Sequence, residues 1–402
     1  MKVLQINATY GYSSTGLIVK DIGDAIEKSG NEALFAYQKG NVPDGKGYVV
    51  GNNLDWKFHA LLCRLLGKQG YYSSGATKKF LRYLDKEKPD VVHLHNLHSN
   101  FINLNMLLEY LAKKDIPTVI TMHDCWYFTG KCFHYVDVGC QGFMTDCKNC
   151  PKKSAPPKSM IFDCAHEVLK DRYKYLSKIP RLRFVGCSDW VCGEARKGIL
   201  KDFDFSRVYN GVDTGIFRPR DTEKIIEQYD LKDKRVILGM ANKWLLESNK
   251  DVFNKIRESI DENSVLMLIG CTDEQKNFLK KFNNVLGVGF IKNRDELAEH
   301  YSLADVFVNV THADTLPTVN MESICCGTPV ITYDSCGSPE LVIDGCGEIV
   351  RENDIQGILS ALKKTGKEKN KHCSQMGREI YDKSKCYSKY IDIYEEIIRL
   401  ER

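Results

Sequence analysis

The stretch with the densest chemical content runs from 312 to 340 and reads HADTLPTVNMESICCGTPVITYDSCGSPE. Asp314 and Glu322 bracket a loop that passes through Leu316 and enters a helix near Thr318. The first turn of a helix presents unpaired amides and the positive end of the peptide dipole, a seat for a diphosphate. A carboxylate at Glu322 could take two ribose hydroxyls, and Asp314 could take hydroxyls of a donor sugar. The plainer alternative is a solvated acid pair. It is disfavoured because Glu322 lies inside the apolar stretch 319–324, where an acid requires a partner. Cys326-Gly327-Thr328-Pro329 then ends the helix and opens a strand.

The first half of the chain places polar groups in the same position, directly after strands. The first strand leads into Gly11-Tyr12-Ser13-Ser14-Thr15-Gly16, whose glycines let backbone amides approach a ligand at a helix start. This is not the GxGxxG dinucleotide pattern, and a plain tight turn is the other reading. The segment 90–98 reads DVVHLHNLH, with His93, His95, Asn96 and His98 at the end of an apolar run. Histidines there are either satisfied core residues or part of a site. Thr121-Met122-His123-Asp124 repeats the arrangement. An imidazole at His123 could contact a sugar hydroxyl or stabilise developing charge.

Four cysteines, Cys132, Cys140, Cys147 and Cys150, fall close together and end in Cys147-Lys148-Asn149-Cys150-Pro151. The CxxC element suggests zinc, which four thiolates hold tetrahedrally. The remaining spacings fit no standard finger, and free thiols or a disulfide stay open. A closed four-thiolate site would be structural, so no cofactor is expected in the chemistry.

Elements that alternate along the chain must position these groups. Strand-like runs fall at 2–7, 90–95, 117–122 and 182–187, with helix-like stretches such as 103–114 and 161–176 between them. The runs are continuously apolar, as in strands covered on both faces. After Asn210-Gly211-Val212-Asp213 the pattern restarts, with runs at 235–241, 264–270, 305–310 and 328–333. An α/β fold follows, with two Rossmann-like doubly wound domains. Residues 1–210 form the first, expected to bind an acceptor, with a cysteine-rich insertion at 125–153. Residues 211–385 form the second, expected to bind a nucleotide sugar. A helix over 386–402 is expected to return to the first domain. Ligands of such sheets bind beyond the carboxyl ends of the strands, so a central cleft is the expected active site.

Bulk properties exclude other classes. The 402 residues carry a formal net charge of only +4, and no basic stripe is interleaved with stacking aromatics, which argues against nucleic acid. No apolar run is long enough to span a membrane. Sixteen cysteines without a secretion signal point to reduced thiols in the cytoplasm. The stretch 54–66 carries Trp56, Phe58, Leu61, Leu62 and Leu65 with Lys57 and Arg64, and Lys78, Lys79 and Arg82 follow. It reads either as a basic amphipathic helix lying on the inner membrane face or as an ordinary core-facing helix.

Together these segments resemble family 4 of the retaining glycosyltransferases, which have the GT-B fold. The resemblance runs through almost the whole chain. It is strongest at Glu322 with the following CysCysGlyThrProValIle and GlySerProGlu, and at the junction AsnGlyValAsp. The segments HLHNLH and MHDCWYFTGKC, with the later CxxCP, are closer still to bacterial capsule, O-antigen and colanic-acid-type transferases. The resemblance implies a UDP- or GDP-sugar donor and a lipid-linked saccharide acceptor. It implies same-face attack, with the leaving diphosphate helping to take the acceptor proton, and no catalytic metal. It places His123 at the reacting sugar, Asp314 on the sugar and Glu322 on the ribose. Gly16, Lys243, Lys250, Leu316 and Thr318 would lie along the donor, and Gly11, His95, Asn96 and Asp124 along the acceptor. One departure stands out. The family has Arg, then Lys five residues later, and those positions fall here on Lys243 and Ser248, with Lys250 two places late. Lys243 cannot fork to two phosphate oxygens as Arg does. A GT-B epimerase, a nicotinamide-dependent oxidoreductase and a non-catalytic sugar-nucleotide scaffold are the competing readings. The oxidoreductase lacks a strand–GxGxxG–helix unit.

Overall fold

The computed structural model describes residues 1–42, 45–366 and 370–400. It divides into two compact units, Met1–Tyr209 with Cys386–Arg402, and Asn210–Lys385. Residues 401 and 402 of the expected terminal helix lie outside the described residues.

In the first unit the strands are β1 (Lys2–Ile6), β2 (Thr9–Tyr10), β3 (Glu32–Tyr37), β4 (Lys39–Gly40), β5 (Gly47–Val49), β6 (Val91–Leu94), β7 (Thr118–Met122), β8 (Leu182–Gly186) and β9 (Asp204–Arg207). Seven of them form a parallel sheet in the order β5-β3-β1-β6-β7-β8-β9. Val3, Leu4, Val91, Val92, Val119, Ile120, Phe184 and Val185 are all essentially inaccessible, because helices cover both faces. The helix Lys383–Arg399 supplies one part of this cover. Its Cys386, Tyr387, Tyr390, Ile393, Tyr394 and Ile397 join the core of Val3, Val91, Val119 and Val185.

The second unit contains β10 (Arg235–Met240), β11 (Ser264–Ile269), β12 (Val285–Val288), β13 (Val306–Asn309), β14 (Val330–Tyr333) and β15 (Gly347–Val350). They form a second parallel sheet, β12-β11-β10-β13-β14-β15. Both sheets are doubly wound. The strand order reverses between β1 and β6 in one and between β10 and β13 in the other.

The structure shortens one expected helix. The stretch 161–176 is helical only over Ala165–Leu176. Asp163 is occupied in holding loop backbone, accepting from Cys150 N at 2.7 Å and from Ala165 N at 3.2 Å. Among the described residues no helix is long and apolar enough to cross a membrane.

Candidate active site

In an open parallel sheet, ligands sit where the strand order reverses, beyond the carboxyl ends of the strands on either side. In the first unit those strands are β1 and β6. Asn7, 1% exposed, follows β1 and ties the two exits together. Its Oδ1 accepts from Asn96 N at 3.1 Å and its Nδ2 donates to Thr9 O at 2.8 Å. Ala8 N donates to Asn96 O at 3.2 Å. Gly11 N then donates to Gly16 O at 3.0 Å, which closes the loop before the helix Ser14–Lys28. Packing favours glycine at 16, since a Cβ there would lie 2.8 Å from Thr9 Oγ1.

The histidines divide between core and site. His93 is buried, with Nδ1 2.7 Å from the Tyr394 hydroxyl and Nε2 2.7 Å from Thr121 Oγ1. Its work is to fasten the C-terminal helix to the sheet, so the core reading holds for this residue. His95 lies 3.1 Å through Nδ1 from His123 Nε2, and 3.1 Å through Nε2 from Gln5 Oε1. Burial, with the charge of its neighbours, holds His95 well below the usual imidazole range, and burial pushes His123 down to about 4. Both rings are therefore neutral at neutral pH, and their tautomers follow from the network. Gln5 Nε2 donates to Val19 O at 3.1 Å, so Oε1 faces His95 as an acceptor. His95 Nε2 must then carry the proton and Nδ1 the lone pair. It follows that His123 donates through Nε2, which leaves the lone pair on His123 Nδ1. His123 Nδ1 is thus an acceptor rather than a donor.

Asp124 stands beside it. Burial alone would raise its pKa, but the charge and hydrogen bond of His98, 3.0 Å away, and the Trp126 amide hold it below the ordinary carboxylate value. The sequence reading missed Gln5 and Asn7. The available signal was a polar side chain inside the apolar run of β1 and another at its end.

In the second unit the reversal lies between β10 and β13. After β13 the chain runs through Asp314 and Leu316 into the helix Thr318–Cys325. Asp314 Oδ1 accepts from Leu316 N at 3.1 Å, which shapes the turn. Pro317 precedes the helix and offers no side-chain cap, and the first turn holds no acid. Asn320 N already donates to Pro317 O at 3.0 Å, so the amides that could meet an anion are those of Thr318 and Val319. Buried Asn320, on the first turn, accepts from Asn309 Nδ2 at 2.8 Å and fixes the helix to β13. At the other end Thr328 Oγ1 donates to Tyr301 O at 2.6 Å.

Glu322 lies one turn further along this helix and is half-buried. Burial pushes its carboxyl up to about 7, against the opposing pull of Arg294 and the Tyr301 hydroxyl, which donates to Oε2 at 3.3 Å. Tyr301 and Arg294 were not anticipated from the sequence. They sit on the separate helix Arg294–Leu303, so no local spacing points to them.

The expected basic pair is split. Lys243 lies on the short helix Ala241–Trp244, at the exit of β10. Lys250 is exposed, pairs with Glu247 at 3.2 Å, and lines a cavity of about 370 Å³ with Phe253, Glu274, Gln275 and Phe278. None of the residues lining that cavity is Asp314, Thr318 or Glu322. The intervening Asn249 is buried instead. Its Nδ2 donates to Lys243 O and Val310 O, each at 2.9 Å, and its Oδ1 lies 2.6 Å from His312 Nε2. Asn249 and His312 thus pin the β10 and β13 exits, a role the sequence reading did not assign.

The cysteines Cys132, Cys140, Cys147 and Cys150 line one cavity of about 20 Å³ in the loop after Asp124. No described cysteine is in a disulfide. Among the described residues no three His, Cys, Asp or Glu side chains are already gathered at a metal-binding point.

Comparison with known proteins places this geometry among relatives. Residues 19–215 match the family described as Glycosyltransferase Family 4, and residues 221–383 match Glycosyl transferases group 1. The chain is 24% identical over 325 residues to a putative colanic acid biosynthesis glycosyl transferase of Escherichia coli K12, covering 77% of each chain. Sucrose-phosphate synthase from Thermosynechococcus elongatus shares the fold with a TM-score of 0.68, at 14% identity over 98% of both chains. The Anabaena protein HepE, solved with UDP-glucose, has a TM-score of 0.60 at 13% identity, covering 98% of this chain and all of that one.

Proposed function

As a member of glycosyltransferase family 4 with the GT-B fold, this chain is a glycosyltransferase, and we propose that it moves a hexosyl group from a UDP- or GDP-sugar to a lipid-linked saccharide during surface polysaccharide synthesis. The observation that carries the donor reading is Glu322, a half-buried carboxyl one turn inside a helix whose first-turn amides are uncapped. A diphosphate on those amides sets the ribose hydroxyls toward Glu322, with Asp314 and Leu316 in the preceding loop. Lys243 adds a cation at the adjacent strand exit. Helix amides and protein cations offset the diphosphate charge, so the chemistry runs without a catalytic metal.

Transfer proceeds with retention. The acceptor hydroxyl oxygen bonds to the anomeric carbon on the face from which the diphosphate departs. The bond from that carbon to the diphosphate oxygen breaks, and the departing oxygen takes the acceptor proton. His123, as a neutral acceptor, orients a sugar hydroxyl rather than supplying a proton. A panel of UDP-, GDP-, ADP- and CMP-sugars tests the reading through thermal shift and nucleotide release. A shift with one UDP- or GDP-sugar, and release of that nucleotide with the sugar in the retained configuration, is the expected result. A shift without any turnover in the presence of membrane lipid extracts would instead favour a binding scaffold, and an inverted product would remove the retaining mechanism.

The acceptor reading draws support from one face of the first unit. The helix Asn53–Leu66 fully buries His59 and Cys63 and half-buries Trp56, Leu62 and Leu65, and the rest of its apolar face lies outward. Leu54, Phe58 and Leu61 are 75%, 62% and 52% exposed, and Met160, Ile161 and Phe162 are exposed beside them. Met160 N donates to Arg64 O at 2.6 Å and joins the two segments. Lys57, Arg64, Lys78, Lys79 and Lys158 are also exposed. Apolar side chains among cations suit the interface of an anionic membrane, each cation contributing about 1 kcal/mol near the surface. Cosedimentation is expected with vesicles rich in phosphatidylglycerol and not with phosphatidylcholine alone. Serine at Leu54, Phe58 and Leu61 together should abolish it. Equal binding to both lipids, or an unaffected triple variant, would rule this face out.

A further inference from the structure

We propose that Cys132, Cys140, Cys147 and Cys150 hold a structural zinc ion whose charge is balanced by two buried cations, Lys131 and Arg172. The four thiols line a single cavity of about 20 Å³, room for one small ion. They form one interacting cluster, Cys132 with Cys150 and Cys147, and Cys147 with Cys140. Backbone amides already point at two of the sulfurs. Gly130 N donates to Cys147 Sγ and Gly142 N to Cys140 Sγ, each at 3.4 Å. Such bonds favour the thiolate, the form that binds metal. Positive φ angles at Cys147 and Asn149 turn the CxxC segment, and Cys147 and Cys150 both line the cavity.

The cations supply an independent argument. Arg172 is 2% exposed. Its Nη1 donates to Trp126 O and Thr129 O, its guanidinium lies 4.0 Å from the Trp126 ring centroid, and its Nε and Nη2 have no hydrogen-bond partner. Lys131 is 6% exposed and spends its ammonium on three carbonyls, those of Lys152, Lys153 and Ala155. Neither makes an ion pair with a carboxylate among the described residues. Two buried cations without an ion-paired carboxylate are costly unless opposite charge lies near. Lys131 interacts electrostatically with Cys150 and Cys132 ahead of Asp163, and Arg172 with Tyr71, Tyr127 and Cys147 ahead of Asp124. Zinc held by four thiolates carries a net charge of minus two, which these two cations neutralise.

On binding, each thiol loses its proton to solvent as its sulfur bonds to zinc, and no electron changes hands. The thiols are not yet gathered at one point, so they rotate inward from the cavity wall to reach the zinc–sulfur distance of about 2.3 Å. The ion would brace the loop that follows Asp124, since Arg172 grips the same loop at Trp126 and Thr129.

Metal analysis of the full chain, purified under reducing conditions with added zinc, is expected to find about one zinc per chain, the complement of one closed site. Cobalt substitution of the unmodified chain reads the ligands directly. Intense tetrahedral and sulfur-to-cobalt bands support four thiolates, and the weak spectrum of a hexahydrated ion overturns the site. A chain that takes no zinc, or in which mass spectrometry finds Cys132 joined to Cys150, also overturns it. Lys131→Met should lose zinc to a chelator at about tenfold lower concentration or less, the scale of removing a group that supports metal ligands. Unchanged retention would overturn the charge balance.

Discussion

Glu322→Gln will make the protein more stable above neutral pH and weaken its hold on the donor nucleotide. Burial raises the folded-state pKa of Glu322 from 4.5 to about 7. A raised carboxyl contributes its full share of stability below pH 4.5 and loses it as pH climbs through 7, because ionisation is then opposed only in the folded state. The difference amounts to about 3 kcal/mol once the group is fully ionised. Gln keeps the shape and an acceptor for the Tyr301 hydroxyl but has no charge to desolvate. The variant should therefore melt above the wild type at pH 8.5 and match it near pH 4.5. Donor binding should move the other way. A carboxylate accepting two ribose hydroxyls makes charge-assisted bonds of about 1.5–3 kcal/mol each, and the Gln amide oxygen keeps neutral ones of about 0.5–1.5, so a difference of about 2–3 kcal/mol in all should lower affinity at pH 8 by roughly one and a half to two orders of magnitude. At pH 5.5 most of that gap should close, since wild-type Glu322 is itself protonated. Calorimetry and melting curves across this range check both halves, and a pH-independent difference in either would contradict the role assigned to Glu322.

A site that is destabilising without its ligand explains why some of it was legible in the sequence. Glu322 stands out because it breaks an apolar run, and Asp314, Thr318 and His123 because each closely follows a strand. Continuous apolar runs likewise give away the strands, since both faces of each sheet are covered. What stayed hidden are partners contributed from distant elements. Tyr301 reaches Glu322 from another helix, and Gln5 reaches His123 only through His95. Lys250 is a different case. Spacing brings it near the phosphate-binding position, and the structure pairs it with Glu247 on a cavity lined by Phe253 and Phe278, while the neighbouring Asn249 is buried. The apolar face of the helix Asn53–Leu66 was ambiguous for a related reason, because periodicity reports an apolar stripe and not what covers it.

The Gln5–His95–His123 chain carries the second large expectation. Removal of the imidazole by His123→Ala should lower kcat about 10²–10³-fold, the usual scale for losing one preorganised polar contact to a reacting group. Donor affinity should change little, because the groups proposed to hold the nucleotide belong to the second unit. Across pH 6–8 the wild-type rate should show no limb from His123, whose pKa lies at about 4. An imidazole acting as an acid or base near its ordinary pKa would produce one. Gln5→Leu separates position from chemistry. It removes the acceptor that fixes the proton on His95 Nε2, and so frees both rings to exchange tautomers. Half of His123 Nδ1 would then carry a proton and repel the hydroxyl it should receive. With about half of the molecules left in the competent tautomer, kcat should fall roughly twofold. Nitrogen chemical shifts of His123 report the tautomer directly, and a merely structural Gln5 would leave them unmoved. A rate loss with unchanged shifts would break the chain of inference at Gln5, while changed shifts with a full rate would break it at His123.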